Sequence, residues 1–381
     1  MSRELYVAIP GPTPVVRSIQ DEMGREIQAF GDPRFVKDYL ELIEGLGGIV
    51  NSCGQTFALA GTGTIAMEMA VANTAKRGDN ALLISHGFFG DRFVGICSRK
   101  GINTDVLRAP WGEIVPVDEI DKKLSEKQYA IITVSHVDTS TGVLSPLKEL
   151  GEMLKKHPET LFIVDGVAAT GGEFTDFDAM GIDVLFTASQ KAFGVCPGMF
   201  MLFASQRALE RRNELCTIPE YYVDFLNWLP VMKDPSKFFS TPSINLVWAL
   251  KESMRLIKTE GMDLRHKRHF KNGRAMQKAF EALGFKVLAN PLNRAVTLSN
   301  LVYPEGLEDA KFRNALMDEG IIVASGIGEY FGKMCRIGHM GNVTENDMLT
   351  ILGALERALN LCGILVPYGT GLGVYQSEMA K

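Results

Sequence analysis

Short apolar runs recur along the first half of the chain, and each one ends in a cluster of glycine, serine, threonine or aspartate. Residues 56–60, 80–85, 129–135, 161–164, 184–186 and 199–204 have the length and the β-branched or aromatic content of buried strands. Helical character fills the gaps, at 35–49, in the IAMEMAVANTA segment after residue 64, and at 206–216. Strands alternating with helices predict an α/β domain with a mostly parallel sheet. In such a sheet, residues just beyond the carboxyl ends of the strands face the ligand crevice.

The pattern changes beyond residue 204. Residues 219–242 read as an irregular, aromatic-rich excursion, and 244–259 and 262–283 read as consecutive helices. Short strands at 286–288, 294–301, 321–324 and 333–337 follow, with helices at 310–319 and 346–361; the glycine-broken apolar segment 364–374 is expected to pack on this part. Pro10, Pro12 and Pro14 keep the start of the chain out of a helix. The expected division is an N-terminal arm (1–18), a large domain (19–258) and a smaller C-terminal α/β domain (259–381).

Composition narrows the function classes. The 381 residues are 46% apolar, enough for substantial cores, and a formal net charge of −5 argues against a nucleic-acid binder. Six dispersed cysteines form no CxxC pair or ligand cluster and suit a reducing compartment. There is no uninterrupted run of roughly 20 apolar residues. A soluble cytoplasmic protein, without membrane or nucleic-acid partners, is the expectation. His266 and His269, three apart with no carboxylate or cysteine ligand beside them, give no metal site.

The candidate chemistry sits at the strand exits. Asp165 follows the run 161–164, and Lys191 lies in Ser189-Gln190-Lys191 after the run 184–186. Gly61-Thr62-Gly63-Thr64 joins a strand to a helix, where main-chain donors hold phosphate without a basic side chain. Phe88 and Phe89 offer an aromatic cover. Each feature alone is ordinary: a cap, a surface lysine, a tight turn. Together they match what pyridoxal phosphate needs, namely an amine for a Schiff base, an acid for the pyridine nitrogen and a phosphate cradle.

The ordered motifs GPTP, AGTGT, SHGFFGDR, SHVDTSTGV, VDGVAATGG, SQKAFGVCPG, FSTP and RIGHMG span most of the chain. In this series the sequence resembles the class V aminotransferases of fold type I, in particular their alanine–glyoxylate/serine–pyruvate branch. The resemblance implies a pyridoxal 5'-phosphate-dependent homodimer with a mostly parallel seven-stranded sheet in the large domain and active sites at the subunit interface. It implies that Lys191 is the Schiff-base lysine and proton carrier, and that Asp165 partners the pyridine nitrogen. Phe89 takes the ring-stacking position, and Thr62, Gly63 and Thr64 form the phosphate cradle with Gln190 beside it. Thr139 contacts the cofactor near its ring oxygen, Thr241 of the partner subunit contacts the phosphate, and Arg336 clamps the substrate carboxylate.

Several positions depart from the pattern. Phe89 replaces a frequent tryptophan, Asp138 a common glutamate, and Phe238 a tyrosine that donates to the phosphate across the subunit boundary. VDGVAATGG lacks the usual serines, and Phe30-Gly31-Asp32 departs from the family near the substrate entrance. The expected reaction is ping-pong transfer from alanine or serine to glyoxylate or pyruvate. The alternatives are an unusual amine donor (an aminophosphonate, an aminosulfonate or pyridoxamine) or a lyase, for which no catalytic cysteine stands in the required context.

Overall fold

Seven strands, six of them largely buried, carry the site. They are β1 (Gln55–Gly61), β2 (Asn80–Ser85), β3 (Asn103–Arg108), β4 (Ile131–Ser135), β5 (Leu161–Asp165), β6 (Val184–Ala188) and β7 (Gly198–Ala204). In the computed structural model, which describes residues 5–381, they form one sheet in the order β1-β7-β6-β5-β4-β2-β3. Strand β7 runs antiparallel to both of its neighbours, and the other pairs are parallel. The mostly parallel seven-stranded sheet is as expected. Residues 1–4, the start of the expected arm, lie outside the described residues.

Strand β3 has no apolar run to announce it. It lies at the sheet edge, pairs with β2 alone and leaves Asn103 and Arg108 exposed, so NTDVLR reads as a polar segment. The excursion at 219–242 is also more regular than the sequence suggests. It holds a helix, Phe225–Lys233, and a 3-10 turn, Pro235–Lys237. Pro230 masks that helix, yet tertiary contacts hold its start. Asp224 caps the Leu226 amide and pairs with buried Arg212 (Nη2–Oδ2 2.6 Å), while the Asn73 amide oxygen accepts the Phe225 N–H at 2.9 Å.

Among the described residues, two large apolar cores and a small third cluster, Val137, Ala168, Ala169, Ala192, Ala295, Leu298 and Met340, hold the chain together. The first packs both faces of the seven-stranded sheet and takes in Val247, Trp248, Leu250 and Ile257 from the helix Ile244–Glu260. The second begins at Ala275 in the helix Met262–Ala282 and runs through Leu355 and Leu359 to Tyr375. It surrounds a four-stranded antiparallel sheet, β8 (Lys286–Val287), β9 (Leu298–Val302), β10 (Ala324–Ser325) and β11 (Met334–Gly338), in the order β8-β9-β11-β10. The N-terminal Tyr6–Val7 pairs in parallel with Ile321–Ile322, and Ala8 joins the second core. The arm is therefore stitched to the C-terminal part before it crosses to the first core. A helix at Thr370–Met379, hidden from the sequence reading by its glycines, lies along Met262–Ala282, with the Tyr375 hydroxyl donating to Asn272 at 2.8 Å. Among the described residues, no helix is long and apolar enough to cross a membrane.

Candidate active site

The exits of β1, β2, β4, β5 and β6 converge on a cavity of about 360 Å³. Eight of the site residues expected from sequence line it: Thr62, Gly63, Thr64, Phe89, Thr139, Asp165, Gln190 and Lys191. After β1, Thr62 is the extended N-cap of helix α1 (Gly63–Thr74), and no side chain caps its first turn. The opening amides are thus available to a ligand, at the end of the helix that favours negative charge. A Cβ on Gly63 would stand 2.8 Å from Val167 Cγ2, so the cradle closes only around a glycine.

Asp165, at the last position of β5, is only 5% exposed. Its Oδ1 accepts the Val167 amide at 2.9 Å, which leaves Oδ2 to an occupant of the cavity. Burial lifts its pKa to about 6, against the Val167 hydrogen bond and the charges of Lys191 and Arg92. Beyond β6, the Ser189 hydroxyl donates to the Cys196 carbonyl at 2.7 Å and closes the turn that presents Lys191. Burial, and then the Arg336 charge, lower the Lys191 pKa to about 8 although Asp165 pulls the other way. An amine so placed is a usable base near neutral pH.

The arm completes this wall. Thr13 donates its amide to the Gln190 carbonyl at 3.0 Å and its hydroxyl to the Lys191 carbonyl at 2.8 Å, and Lys191 Nζ donates to the Pro10 carbonyl. The GPTP segment thus belongs to the site, a role its proline spacing alone does not disclose.

Of the two phenylalanines, Phe89 lines the cavity and Phe88 is 47% exposed outside it. Helix α2 (Phe88–Lys100) starts at Gly87, which has no capping side chain. The loop after β4 supplies one: Asp138 Oδ2 accepts the amides of Phe89 and Gly90, each at 3.0 Å, and Ser140 Oγ accepts that of Phe88 at 2.9 Å. Arg92, three residues beyond Phe89, also lines the cavity, and nothing in the sequence reading had singled it out beyond its place in SHGFFGDR. The i, i+3 spacing to Phe89 was the available signal.

Arg336 lies on β11 opposite Asn300 of β9. Its Nε donates to the Ser325 carbonyl at 2.8 Å and its Nη1 to the Thr139 carbonyl at 3.3 Å, which sets the guanidinium beside a lining residue without placing it on the lining itself. Thr241 is exposed in its own chain, just ahead of the helix Ile244–Glu260, and does not reach this cavity. Phe238 packs against Tyr39 (centroids 5.2 Å apart), Trp228 (6.1 Å) and Phe30 (6.2 Å) of the same chain. The aromatic cluster around Trp228 therefore packs within the first core.

Two histidines near the site, His86 and His339, are held by hydrogen bonds. His86 meets Ser145 Oγ at 3.0 Å and accepts the Val115 amide at 3.2 Å. His339 bridges Ser299 Oγ and the Val296 carbonyl, each at 2.9 Å, and so shapes the turn after Arg336.

An acid at one strand end, an amine at the next and a helix N-terminus facing them define the class. The Aminotransferase class-V family model matches residues 55–348. The chain belongs to that family, and its fold is that of the fold type I pyridoxal-phosphate-dependent transferases. Alanine–glyoxylate aminotransferase 1 of Saccharomyces cerevisiae is 31% identical, over 90% of this chain and 93% of that protein. Serine–glyoxylate aminotransferase of Hyphomicrobium methylovorum is 30% identical, over 99% and 95%. The crystal structure of ureidoglycine–glyoxylate aminotransferase from Bacillus subtilis superposes with a TM-score of 0.95 at 25% identity, covering 100% of this chain and 99% of that one.

Proposed function

We propose that this aminotransferase binds pyridoxal 5'-phosphate in the cavity and moves an amino group from alanine or serine to a small 2-oxo acid such as glyoxylate or pyruvate. The observation that carries the reading is the junction of Lys191, Asp165 and the open first turn of α1 around one cavity. The residues fit the cofactor. Buried Asp165 has a carboxylate oxygen to spare for a ring N–H, and the first turn of α1 has no side-chain cap to compete with a phosphate. When bound, the cofactor supplies an aldehyde that condenses with amines and a ring that accepts electrons.

The protein's own groups then have defined tasks. Lys191 Nζ holds the cofactor and takes the proton from the donor Cα, work suited to an amine with a pKa near 8. Asp165 keeps the ring nitrogen protonated, and Phe89 covers the ring face. Thr62, Gly63, Thr64 and Gln190 hold the phosphate group, while Thr139 contacts the ring oxygen. Arg336 pairs with the substrate carboxylate through its planar fork. The nearby walls, Val137, Val167 and Ala168, are apolar and suit a methyl or hydroxymethyl side chain. The two relatives and the structural neighbour are named for different donors and one acceptor, glyoxylate, which supports a small 2-oxo acid here.

The proposed assembly is a homodimer in which Thr241 of the partner subunit contacts the phosphate. The exposure of Thr241 in its own chain supports this arrangement. All six cysteines are unpaired, which supports the cytoplasm as the compartment.

The test is a matrix of donors and acceptors read by mass spectrometry, with borohydride reduction of the purified protein. Conversion between alanine or serine and glyoxylate or pyruvate, with a reduced cofactor adduct on Lys191, is the expected result. Turnover confined to an aminophosphonate, an aminosulfonate or pyridoxamine overturns the substrate assignment, and active protein without an adduct overturns the chemistry.

A further inference from the structure

One cation at the cavity has no part in the mechanism above. Arg92 lines the cavity with Lys191, and among the described residues these two are its only positively charged lining residues. Arg92 Nη1 donates to Thr64 Oγ1 at 2.9 Å. Its guanidinium carbon stands 4.8 Å from the Phe89 ring centroid and 5.7 Å from that of Phe88. The side chain is thus fixed at both ends of its reach, by a hydroxyl of the cradle and by the face of the covering ring. An arginine carries five N–H donors. The bond to Thr64 is the one hydrogen bond Arg92 makes to protein among the described residues, so most of its donors are free at the cradle end of the cavity.

Charge balance gives those donors a purpose. The cradle of Thr62, Gly63, Thr64 and Gln190 is neutral, and a phosphate monoester carries about −1.5 to −2 charges near pH 7. Helix α1 offers the equivalent of roughly half a positive charge at its N-terminus. Lys191 cannot make up the difference, because burial favours its neutral form and its nitrogen is committed to the aldehyde end. We infer that Arg92 binds the cofactor's phosphate group as its countercharge, held in place by Thr64 and the Phe89 ring. This inference rests on the reading of the cavity as a pyridoxal-phosphate site.

The test compares two probes that differ only in the phosphate. Full-length apoprotein of the wild type, Arg92→Gln and Arg92→Lys is titrated with pyridoxal 5'-phosphate and with pyridoxal, and binding is read from the visible absorbance band. Loss of a charge-assisted contact predicts that Arg92→Gln binds pyridoxal phosphate about 10- to 100-fold more weakly, with pyridoxal affinity unchanged. Arg92→Lys, which keeps the charge and loses the fork, is expected to fall between. Thermal unfolding of the apoproteins identifies a variant that is misfolded, and Arg92→Lys then decides alone. Equal weakening toward both probes makes Arg92 a prop for Phe89 and overturns the inference, as does no weakening at all. A wild type that forms no Lys191 adduct with either probe overturns the cavity assignment together with it.

Discussion

The carboxylate of Asp138 accepts the main-chain N–H of Phe89 at 3.0 Å, so the residue that covers the cavity is positioned by a loop 49 residues further along the chain. Oδ1 of the same carboxylate accepts both the amide (2.9 Å) and the hydroxyl (2.5 Å) of Ser140, and the loop is thereby locked around the start of α2. Asp138→Ala leaves several of these donors unpaired in a buried place and should cost about 2 kcal/mol of stability, as lost caps and orphaned amides do. Urea unfolding of the holoenzyme measures it; a loss below about 0.5 kcal/mol would show that the cap carries little. Asp138→Glu should also destabilise. A Cβ on Gly87 would already lie 2.9 Å from Asp138 Cγ, and the loop has no room for another methylene.

Lys191 gives the apoprotein a distinctive pH dependence. Its pKa falls from 10.5 to about 8 on folding, so between those values the unfolded chain binds the extra proton. The penalty for burying the charged amine is complete below pH 8 and is relieved as the pH rises toward 10.5, worth up to about 3 kcal/mol. Lys191→Met apoprotein should therefore be more stable than wild type at pH 7, with the gap closing by about pH 10, while turnover is abolished. Denaturant midpoints at a series of pH values read the gap, and a constant difference would remove the lysine as its source.

Asp165 has the opposite sign. Its pKa rises from 3.8 to about 6, so the folded apoprotein holds a proton that the unfolded chain has released. The cost is absent below pH 3.8 and complete above pH 6, again up to about 3 kcal/mol. Asp165→Asn should stabilise the apoprotein at pH 7, give no advantage at pH 3.5, and lower turnover by at least about 100-fold because the ring nitrogen loses its acid partner. A variant with near-normal turnover would dismiss Asp165 from that role.

These groups were legible before the fold because the chemistry sits at strand exits, and an apolar run ending in a polar side chain is visible in one dimension. Asp165 and Lys191 are such residues. Arg92 and the Asp138 cap were harder to read, since their meaning lies in pairing with Thr64 and with amides on another segment. Strand β3 and the helix Phe225–Lys233 escaped for a related reason. An edge strand needs little hydrophobicity, and a helix containing Pro230 draws its stability from Asn73, Arg212 and the surrounding core. The helix at Thr370–Met379 is rich in glycine and leans on Met262–Ala282 in the same way. Local pattern reports local preference; these elements are set by their neighbours.

Arg336 is proposed to hold the substrate carboxylate, and its charge also bears on Lys191. Arg336→Lys keeps a charge and loses the fork, so KM for alanine or serine should rise by roughly 10- to 100-fold with a smaller change in kcat. Arg336→Ala should also raise the pKa of Lys191, because the arginine's charge is the second cause of its depression. Titration of the apoprotein amine, followed by its rate of labelling against pH, separates the two effects. An unchanged Lys191 titration would show that the charges do not communicate.

Gly11 tests whether the arm is part of the catalytic apparatus. Its φ of +114° is one that residues with side chains rarely adopt. A Cβ there would come within 2.5 Å of Lys191 Cδ and 2.8 Å of Nζ, so Gly11→Ala pushes directly on the lysine. The arm cannot simply move away, because Thr13 is bonded to Gln190 and Lys191 on one side and Tyr6–Val7 is paired with Ile321–Ile322 on the other. The substitution should cost roughly 1–2 kcal/mol through the backbone alone. Displacement of the amine should lower kcat by up to about 100-fold, the scale of an ångström's misplacement. The separating measurement is the fraction of Lys191 trapped with cofactor by borohydride in protein that remains folded. If that fraction and kcat both match wild type while stability alone drops, Gly11 serves the chain's path and not the position of Lys191.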